Sequence, residues 1–425
     1  MFNVQCSMFN VQCSMTLPEE FITYTRELFG EAVWQQYLHS FDEPTPVSVR
    51  LNPFKPLSPL TSYLLPLADP VPHCKDGYYL TERPNFTLDP LLHAGAYYVQ
   101  EASSMYLDKV IREELSTFNF QLSTVLDLCA APGGKSTLLR AALPEDVKLF
   151  SNEPDHKRAN ILMENMQKQG HPNVVVTNSY ASDYKKSGLL FDLILTDVPC
   201  SGEGMFRKDP ATIKEWSVQN VMKCQQLQRS IISDIWDCLR PGGILIYSTC
   251  TFNRHEDEEN IEWIKDNFEA EEILPAKRFI PGVDRGEGLF MAVLRKMSTD
   301  VTIQRQNMQA LHVMYDGSKV QEELGVRNEE LGMRNKKAAA NVQCSTFNVQ
   351  CSALSIATPK DKYPRVELSR EDALKYLHRE SLILPEETPR GYVIVTYQDL
   401  PLGFVKNIGT RANNLYPKEW KIRNL

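Results

Sequence analysis

The sequence predicts an α/β fold for the middle of the chain, with a parallel β-sheet covered by helices on both faces. Two observations predict it. From Thr124 onward, short apolar runs alternate with stretches whose apolar residues recur at helical spacing. Polar or glycine-rich motifs follow several of these runs, and ligands of such sheets bind beyond the carboxyl ends of the strands. The pattern therefore predicts right-handed βαβ units with a binding site at one edge of the sheet.

We place this α/β domain at residues 121–297. Its predicted strands are the apolar runs Thr124–Leu128, Lys148–Asn152, Val174–Thr177, Phe191–Thr196 and Gly243–Ser248. Its predicted helices are the amphipathic stretches Lys135–Ala142, His156–Gln169, Val218–Leu239 and Glu256–Phe268. The Pro-Gly-Gly run after Arg240 is expected to end the long third helix.

The segments on either side predict smaller units. Residues 15–120 begin with helical periodicity and continue with short extended runs framed by prolines, which indicates a small α+β domain. Residues 1–14 repeat the word MFNVQCS, and parts of that word return within residues 298–358. We interpret both segments as low-complexity sequence, and the second as a linker. Residues 359–425 then form a last compact segment.

The C-terminal segment ends in a basic stretch that also contains aromatic residues. Between Gly403 and Leu425 there are five cations and one anion, although the whole chain has a net charge of −8. The cations are Lys406, Arg411, Lys418, Lys421 and Arg423, and the interleaved aromatic residues are Phe404, Tyr416 and Trp420. This mixture suits a nucleic-acid backbone with stacked bases. The same mixture is equally typical of an amphipathic surface on which long Lys and Arg side chains lie over apolar groups.

Composition limits the class of protein. Hydrophobic residues make up 42% and charged residues 24%, as in ordinary globular domains. The sequence has neither an apolar run of about 18 residues nor a secretory signal pattern, which favours a cytoplasmic location without a membrane span. Four of the ten cysteines lie in the repeats, and none of the others forms a C-x-x-C pair, so no metal site is predicted.

The first chemical motif is VLDLCAAPGGKST at Val125–Thr137, which follows a predicted strand and opens a helix. Its small residues let a ligand approach the backbone, and the helix N-terminus offers free N–H groups to a carboxylate or phosphate. A P-loop is disfavoured because Cys129 stands where the leading glycine would be, and an ordinary strand–helix turn is the plain alternative. Glu153, beyond the next strand, is placed to accept both hydroxyls of an adenosine ribose.

Two further strand ends carry one cysteine each. The stretch FDLILTDVPCSGEGMFRKD brings Asp197, Cys200, Arg207 and Lys208 after the fourth strand, and STCT brings Cys250 after the fifth. A lone cysteine is most often a small buried apolar residue. Two at neighbouring strand ends beside a cofactor turn indicate thiol chemistry instead. From the residues alone, Cys200 and Cys250 cannot be ranked as the nucleophile.

Such thiols suit the methylation of a pyrimidine ring. C5 of cytosine is a poor nucleophile until a soft anion adds to C6, after which C5 can take a methyl group from a sulfonium donor. An acid such as Asp197 would hold the amino group and N3 of the base. Lys135 would favour the thiolate form of Cys250.

Together the motifs resemble those of the Sun/Fmu family of S-adenosylmethionine-dependent RNA cytosine-C5 methyltransferases. The D-x-C-A-A-P-G-G-K turn is Asp127–Lys135, the D-x-P-C-S loop is Asp197–Ser201, and the S-T-C-T strand end is Ser248–Thr251. The stretch GEGMFRKD at Gly202–Asp209 is similar to a segment found in the bacterial branch of the family, which modifies small-subunit (16S) ribosomal RNA.

The resemblance implies a Rossmann-like methyltransferase domain between two other units. His93–Met105 resembles the N-terminal substrate-side segment of the family, and Pro401–Trp420 resembles its C-terminal PUA-like RNA-binding module. It also implies S-adenosylmethionine as the cofactor and ribosomal RNA or the small ribosomal subunit as the partner. No metal is expected, from the cysteine spacing, and a monomer is the expectation for an oligomeric state that the sequence leaves open. The repeats depart from the family pattern. A catalytically lapsed RNA-binding protein of the same fold is the alternative.

The resemblance further implies roles for the matched residues. Cys250 would form the covalent bond to C6, and Cys200 would assist release of the methylated product. The implied cofactor contacts are Cys129, Ala130, Ala131, Pro132, Gly133, Gly134, Lys135, Glu153 and Asp197, with Asp183 as an acid after the third strand. Contacts to RNA are expected at Arg207, Lys208, Lys406, Arg411 and Lys418.

Overall fold

The computed structural model describes residues 17–55, 68–118, 121–297, 306–319 and 363–423. These residues form three sheets, of four, eight and four strands in chain order. The repeat at residues 1–14 and most of the predicted linker at 298–358 lie outside the described residues. Among the described helices, none combines the length and apolar character needed to cross a bilayer.

The N-terminal unit contains a long helix, α1 (Glu19–His39), and a small antiparallel sheet of order β2-β3-β1-β4. The strands of this sheet are β1 (Val47–Leu51), β2 (Ala68–Pro70), β3 (Gly77–Leu80) and β4 (Tyr97–Val99). Two short helices accompany them, α2 (Pro90–His93) and α3 (Tyr106–Lys109). The expected α+β character of this unit is confirmed.

Helix α1 packs against the central unit. The ring of Phe21, which is fully buried, lies 4.9 Å from the ring of Phe206 and 5.7 Å from that of Trp216, measured between centroids. Gly30 interrupts the helix with a φ of 73°, a backbone conformation that glycine adopts at little cost. Aromatic packing therefore ties the N-terminal helix to the loop that follows Cys200.

The central sheet has eight strands, five of them parallel as predicted. Its strands are β5 (Thr124–Asp127), β6 (Lys148–Asn152), β7 (Val174–Thr177), β8 (Phe191–Asp197), β9 (Leu239–Thr249), β10 (Ala270–Phe279), β11 (Leu289–Lys296) and β12 (Val313–Asp316). They follow the order β10-β11-β9-β8-β5-β6-β7-β12, in which the run from β9 to β7 is parallel. The sheet is therefore mixed, because antiparallel strands extend it at both edges.

Helices cover both faces of this sheet. They are α4 (Gly134–Ala142), α5 (His156–Gln169), α6 (Ala181–Ser187), α7 (Ala211–Glu215), α8 (Val218–Ile235) and α9 (Glu258–Asn267). Helix α5 starts where Asp155 Oδ1 accepts a hydrogen bond from the backbone N–H of Arg158, and it ends at Gly170 with a φ of 85°. These local signals explain why its predicted bounds are confirmed.

Two predictions in this region are wrong. The third predicted helix does not reach Leu239, because α8 ends at Ile235 and Leu239 already pairs with Phe191 of β8 as the first residue of β9. In addition, residues 313–316 are not linker but the edge strand β12, which pairs antiparallel with β7. The four residues of β12, which include Tyr315, form too short a run to be recognised as a strand within the polar sequence around them.

The C-terminal unit is a sheet of order β13-β14-β15-β16 with one helix. Its elements are β13 (Arg365–Glu367), α10 (Arg370–Leu377), β14 (Gly391–Tyr397), β15 (Leu400–Asn407) and β16 (Ala412–Asn414). Its apolar core is continuous with that of the N-terminal sheet, since Val49 and Leu91 belong to the same cluster of buried residues as Tyr376 and Val393. The two outer units thus share one core.

We predict that Phe21→Ala lowers the stability of the protein by about 3–5 kcal/mol, because it removes a fully buried ring from an aromatic cluster. The shift of the urea unfolding midpoint, followed by tryptophan fluorescence, measures this loss. Ile161→Ala is the matched control, since Ile161 is 49% exposed on α5 and should leave the midpoint nearly unchanged. Equal midpoints for the two variants would contradict the structural role given to α1.

Candidate active site

Three neighbouring strand ends build the site. β5, β8 and β9 are adjacent and parallel, and their register sets Asp127 opposite Leu195 and Asp197 opposite Ser248. The loops that follow the three strands therefore leave from the same edge of the sheet. This brings together the three motifs that the sequence analysis singled out.

The turn after β5 is shaped for a ligand that lies against the backbone. Gly133 has a φ of 114°, which favours glycine, and it immediately precedes α4. A side chain on Gly134 would stand 3.4 Å from Cε1 of Tyr98. The small residues Ala130 and Ala131 are buried in the wall of the turn, between Cys129 and Pro132. The predicted turn residues are thus adjacent in space as well as in sequence.

Asp127, the last residue of β5, is a buried carboxyl group that the sequence analysis did not assign to the site. Its Oδ2 accepts a hydrogen bond of 2.6 Å from Ser136 Oγ, while its Oδ1 has no partner among the described residues. Burial raises the pKa of Asp127 to about 7, although the bond from Ser136 acts against this. The feature of the sequence that could have identified Asp127 as a site residue is its position as an acid at the end of a buried apolar strand.

The two acids predicted beyond the next strands have different surroundings. Glu153 is buried at the end of β6, where its Oε1 accepts a bond from the backbone of Asp155 and its Oε2 lies 3.5 Å from Arg158. Asp183 lies in the first turn of α6, where its carboxylate binds the N–H of Tyr180 and, at 2.8 Å, Lys186. Asp183 thus caps its own helix, which accounts for an acid at this position without a cofactor.

The two thiols predicted at the strand ends face each other. Cys200 Sγ and Cys250 Sγ are 3.1 Å apart, and the backbone N–H of Cys250 donates to Cys200 Sγ at 3.3 Å. Both cysteines are free thiols. The contact with Cys250 and burial raise the pKa of the Cys200 thiol well above its usual value. Cys200 is therefore protonated at neutral pH and lies within hydrogen-bond distance of the sulfur of Cys250.

A partly buried ion pair borders the thiols. Lys135 Nζ, in the first turn of α4, lies 2.7 Å from Asp197 Oδ2, and Ser248 Oγ donates to Asp197 Oδ1 at 3.0 Å. Burial would lower the pKa of Lys135, but the charge and hydrogen bond of Asp197 outweigh it, and the charge of Cys250 adds to the upward shift. Lys135 is thus a fixed positive charge near Cys250, as the sequence analysis expected.

Two buried glutamates, which sequence reasoning missed, hold the catalytic loops in place. Glu203 Oε2 accepts bonds from Thr251 Oγ1 at 2.7 Å and from the backbone N–H groups of Phe252 and Asn253 at 2.9 and 3.0 Å. Its other oxygen, Oε1, accepts a 2.8 Å bond from Trp216 and a hydrogen bond from Tyr24 of α1. Glu203 therefore joins the loop after β8, the loop after β9 and α1.

Glu256 is the second of these glutamates. Its carboxylate accepts bonds from the backbone N–H of Ser201 at 3.0 Å and from Gln228 and Asn253 at 2.7 Å. Burial raises the pKa of Glu256, against the effect of these donors. The residue following Cys200 is thus anchored directly. The signal in the sequence was weak, because Glu256 stands in the acidic run HEDEEN, which is typical of a solvated helix start.

The predicted RNA contacts are only in part on the surface. Lys208, Lys406, Arg411 and Lys418 are exposed. Arg207 is not available for RNA, because its guanidinium is buried in an ion pair of 2.8 Å with Glu287 and also donates to two backbone carbonyls. The predicted stacking residues Phe404 and Tyr416 are 1% exposed and belong to the core. For these two residues the interpretation as part of an amphipathic segment is correct, and the interpretation as base-stacking residues is wrong.

Three family models match the chain. The model described as 16S rRNA methyltransferase RsmB/F matches residues 119–295, that of the N-terminal domain of 16S rRNA methyltransferase RsmF matches 17–102, and that of the methyltransferase RsmF PUA domain matches 363–422. Ribosomal RNA small subunit methyltransferase F of Salmonella heidelberg (strain SL476) is 30% identical over 95% of this chain and 96% of its own. The chain belongs to the RsmF family of 16S rRNA methyltransferases.

Further relatives agree with this assignment. The RsmF protein of Citrobacter koseri is 30% identical, over 95% of this chain and 96% of its own. The structure of a methyltransferase homolog protein from Pyrococcus horikoshii has a TM-score of 0.58 and 29% identity, covering 66% of this chain and 96% of that one. NSun6 from Pyrococcus horikoshii with SFG has a TM-score of 0.56 at 19% identity, covering 67% and 99%, and supports the fold alone.

RsmF membership confirms the Sun/Fmu resemblance, the Rossmann-like methyltransferase domain, the PUA module and S-adenosylmethionine as the cofactor. The site fits this cofactor. The positive φ of Gly133 keeps the turn open to a ligand, and the unpartnered Oδ1 of Asp127 suits a cationic ligand group. Among the described residues, no group of three or more His, Cys, Asp or Glu side chains could hold a metal ion.

We predict that Asp127 makes the apoprotein less stable as pH rises from about 4 to about 7. Its pKa is about 7 in the folded protein, against about 3.9 in an unfolded chain, so in this window the folded state holds a proton that the unfolded state has released. Asp127→Asn removes the ionisation while an amide oxygen can still accept from Ser136. The difference in Tm between wild type and variant should therefore move in the variant's favour between pH 5 and pH 8. A pH-independent difference would contradict the assignment.

Proposed function

We propose that this chain methylates C5 of a cytosine in 16S ribosomal RNA through a covalent bond between Cys250 Sγ and C6 of the base. The observation that carries the proposal is the pair of thiols 3.1 Å apart at adjacent strand ends, bordered by the Lys135–Asp197 ion pair. Family membership supports the same reaction. No observation favours the alternative of a lapsed enzyme, since both thiols and their polar neighbours are in place.

The nucleophile in this proposal is Cys250. The thiolate is the reactive form, and the positive charge of Lys135 stabilises an anion at Cys250. The two thiols form a close pair, with Sγ to Sγ at 3.1 Å, in which the contact with Cys250 and burial raise the pKa of Cys200. The ranking of the pair rests on the family resemblance, which gives Cys250 the bond to C6 and Cys200 the release step.

The steps follow from this arrangement. Sγ of Cys250 adds to C6, and negative charge develops over N3 and C5. We assign Asp197 to the amino group and N3 of the base: as the carboxylate paired with Lys135 it accepts from the amino group, and only in its protonated form does it give a proton to N3. S-adenosylmethionine supplies the electrophilic methyl group. C5 then carries both the methyl group and its original proton. Loss of that proton to a base re-forms the C5–C6 double bond and expels Sγ of Cys250, and we assign Cys200 to this release step.

RNA would be held by more than the catalytic cleft. The chain has an RsmF PUA domain, and its exposed cations Lys406, Arg411 and Lys418 give it a positive surface suited to phosphates. Ribosomal RNA or the small subunit is thus the proposed partner. We place the protein in the cytoplasm, where such a substrate occurs and where thiols remain reduced.

We expect Cys250→Ala to abolish methyl transfer from radiolabelled S-adenosylmethionine to 16S RNA, with a rate loss of roughly a thousandfold or more because no covalent activation of C5 remains. Cys224→Ala is the matched control, since Cys224 is another free thiol, on α8, and its loss should leave the rate nearly intact. Normal turnover by Cys250→Ala would rule out this nucleophile.

Cys200→Ala should behave differently. It leaves Cys250 able to attack but removes the group assigned to release, so a methylated protein–RNA adduct should accumulate. The adduct is measured as a band of reduced mobility on a denaturing gel, labelled by both RNA and the methyl donor. The double variant that also carries Cys250→Ala is the control and should give no such band. A loss of turnover without an adduct would assign Cys200 a different role.

A further inference from the structure

A second cavity, distinct from the catalytic cleft, lies between the N-terminal sheet and the central unit. Its volume is about 240 Å³. Arg50 of β1 and Tyr98 of β4 line it from one side, and Thr137 of α4 and Asn165 and Lys168 of α5 from the other. None of the strand-end loops that carry Cys200 or Cys250 contributes to it.

Arg50 gives this cavity its character. The residue is 3% exposed, and its Nε and Nη2 donate to Gln100 Oε1 at 2.9 Å and to Thr137 Oγ1 at 2.6 Å. Both acceptors are neutral. Among the described residues, no carboxylate forms an ion pair with Arg50 and no group accepts from its Nη1. Asp76 and Asp108 act on Arg50 through their charges but form no direct ion pair with it. A buried guanidinium without a directly bound carboxylate is costly to the fold, and it remains charged because arginine does not deprotonate in proteins.

The other walls are suited to a base and to polar contacts. Tyr98 offers a ring, and Gln169 has a buried Oε1 without a hydrogen-bond partner. Lys168 Nζ adds a second cation, paired with Glu164 at 2.5 Å and lying 5.3 Å from the ring centroid of Trp420 in the C-terminal unit. The cavity is smaller than the roughly 300 Å³ or more of ordinary small-molecule sites. Part of a longer molecule therefore suits it better than a whole free ligand.

The cavity is connected to the catalytic site through one helix turn. Thr137, which binds Arg50, lies two residues beyond Lys135, whose Nζ contacts Asp197. Tyr98 packs against Gly134 in the cofactor turn. Lys135 and Thr137 are separated by a rise of about 3 Å along α4, and their side chains leave different sides of the helix. The cavity and the catalytic site therefore share the first turn of α4, and one RNA strand is long enough to reach both.

We propose that this cavity binds a second nucleotide of the RNA substrate, with a phosphate opposite Arg50 and the attached base against Tyr98. The inference rests on the proposed function, because it takes RNA as the substrate. It adds a subsite that would fix the position of the strand relative to Cys250. RNA and free nucleotides both offer a phosphate with an attached base. The small size of the cavity favours one nucleotide of an RNA strand over a whole free ligand.

The first test is the salt dependence of RNA binding by Arg50→Met. Loss of one phosphate contact to a single strand should reduce the slope of log Kd against log salt by about 0.7 and weaken binding roughly tenfold at low salt. S-adenosylmethionine binding, measured by calorimetry, should stay unchanged. An unchanged slope with intact RNA binding would overturn the subsite. Absence of RNA binding in the wild type would instead overturn the proposed function.

Because Arg50 also joins two units, a second variant leaves it in place. Lys168→Gln removes the second cation of the cavity wall and should weaken RNA binding severalfold, because one positive charge facing the phosphate is lost. Lys157→Gln is the matched control, since it removes the same charge from an exposed position on the same helix outside the cavity and should have little effect. Equal RNA affinities for the two variants would overturn the proposal.

A competition experiment separates the two sources of phosphate. Free cytidine monophosphate, titrated against the wild-type protein and against Arg50→Met, should bind weakly and be displaced by the RNA substrate. Tight binding of the mononucleotide that depends on Arg50 and that RNA does not displace would mean that the cavity serves a free ligand. That result would also overturn the proposal.

Discussion

The parallel pairing of β8 with β9 is the constraint on which the site depends. Because Asp197 stands opposite Ser248, the residues three and two positions further along the chain come within 3.1 Å of each other as Cys200 and Cys250. A shift of this register by one residue would turn one thiol away from the other, since side chains alternate between the faces of a strand. The ion pair of Lys135 with Asp197 then joins the cofactor turn to this pair of strands.

The loops that carry the thiols would be free to move without the buried acids beneath them. Glu203 and Glu256 satisfy backbone N–H groups on both sides of the thiol pair, and each carboxylate is surrounded by donors in a dry environment. Such networks hold a geometry strongly when every group is satisfied. Helix α1 takes part in the network through Tyr24, so a segment far from the cysteines in sequence stabilises their arrangement.

The sequence allowed the parallel strands, the cofactor turn and the two thiol positions to be predicted, because each depends on a local pattern: an apolar run, a glycine that takes a positive φ, or a cysteine at a strand end. It did not allow the partners of charged residues to be predicted. Arg207 appeared to be a surface cation, yet it is buried against Glu287, which is 80 residues away. The capping of α6 by the carboxylate of Asp183, which we predicted as a cofactor contact, was not foreseen either. Likewise, Phe404 and Tyr416 could have stacked on bases, and tertiary packing places them in the core.

The single apolar core shared by the N-terminal sheet and the C-terminal unit determines how the chain tolerates inserted sequence. The position of the C-terminal unit is set by burial of Tyr376, Val393 and their neighbours against Val49 and Leu91, and not by the length of chain that leads to it. Closing a longer connection costs little additional entropy, since the cost rises only with the logarithm of its length. Repeated sequence could therefore be inserted between residues 319 and 363 during evolution. The distance between the two outer units, and their distance from the catalytic edge of the sheet, would stay constant.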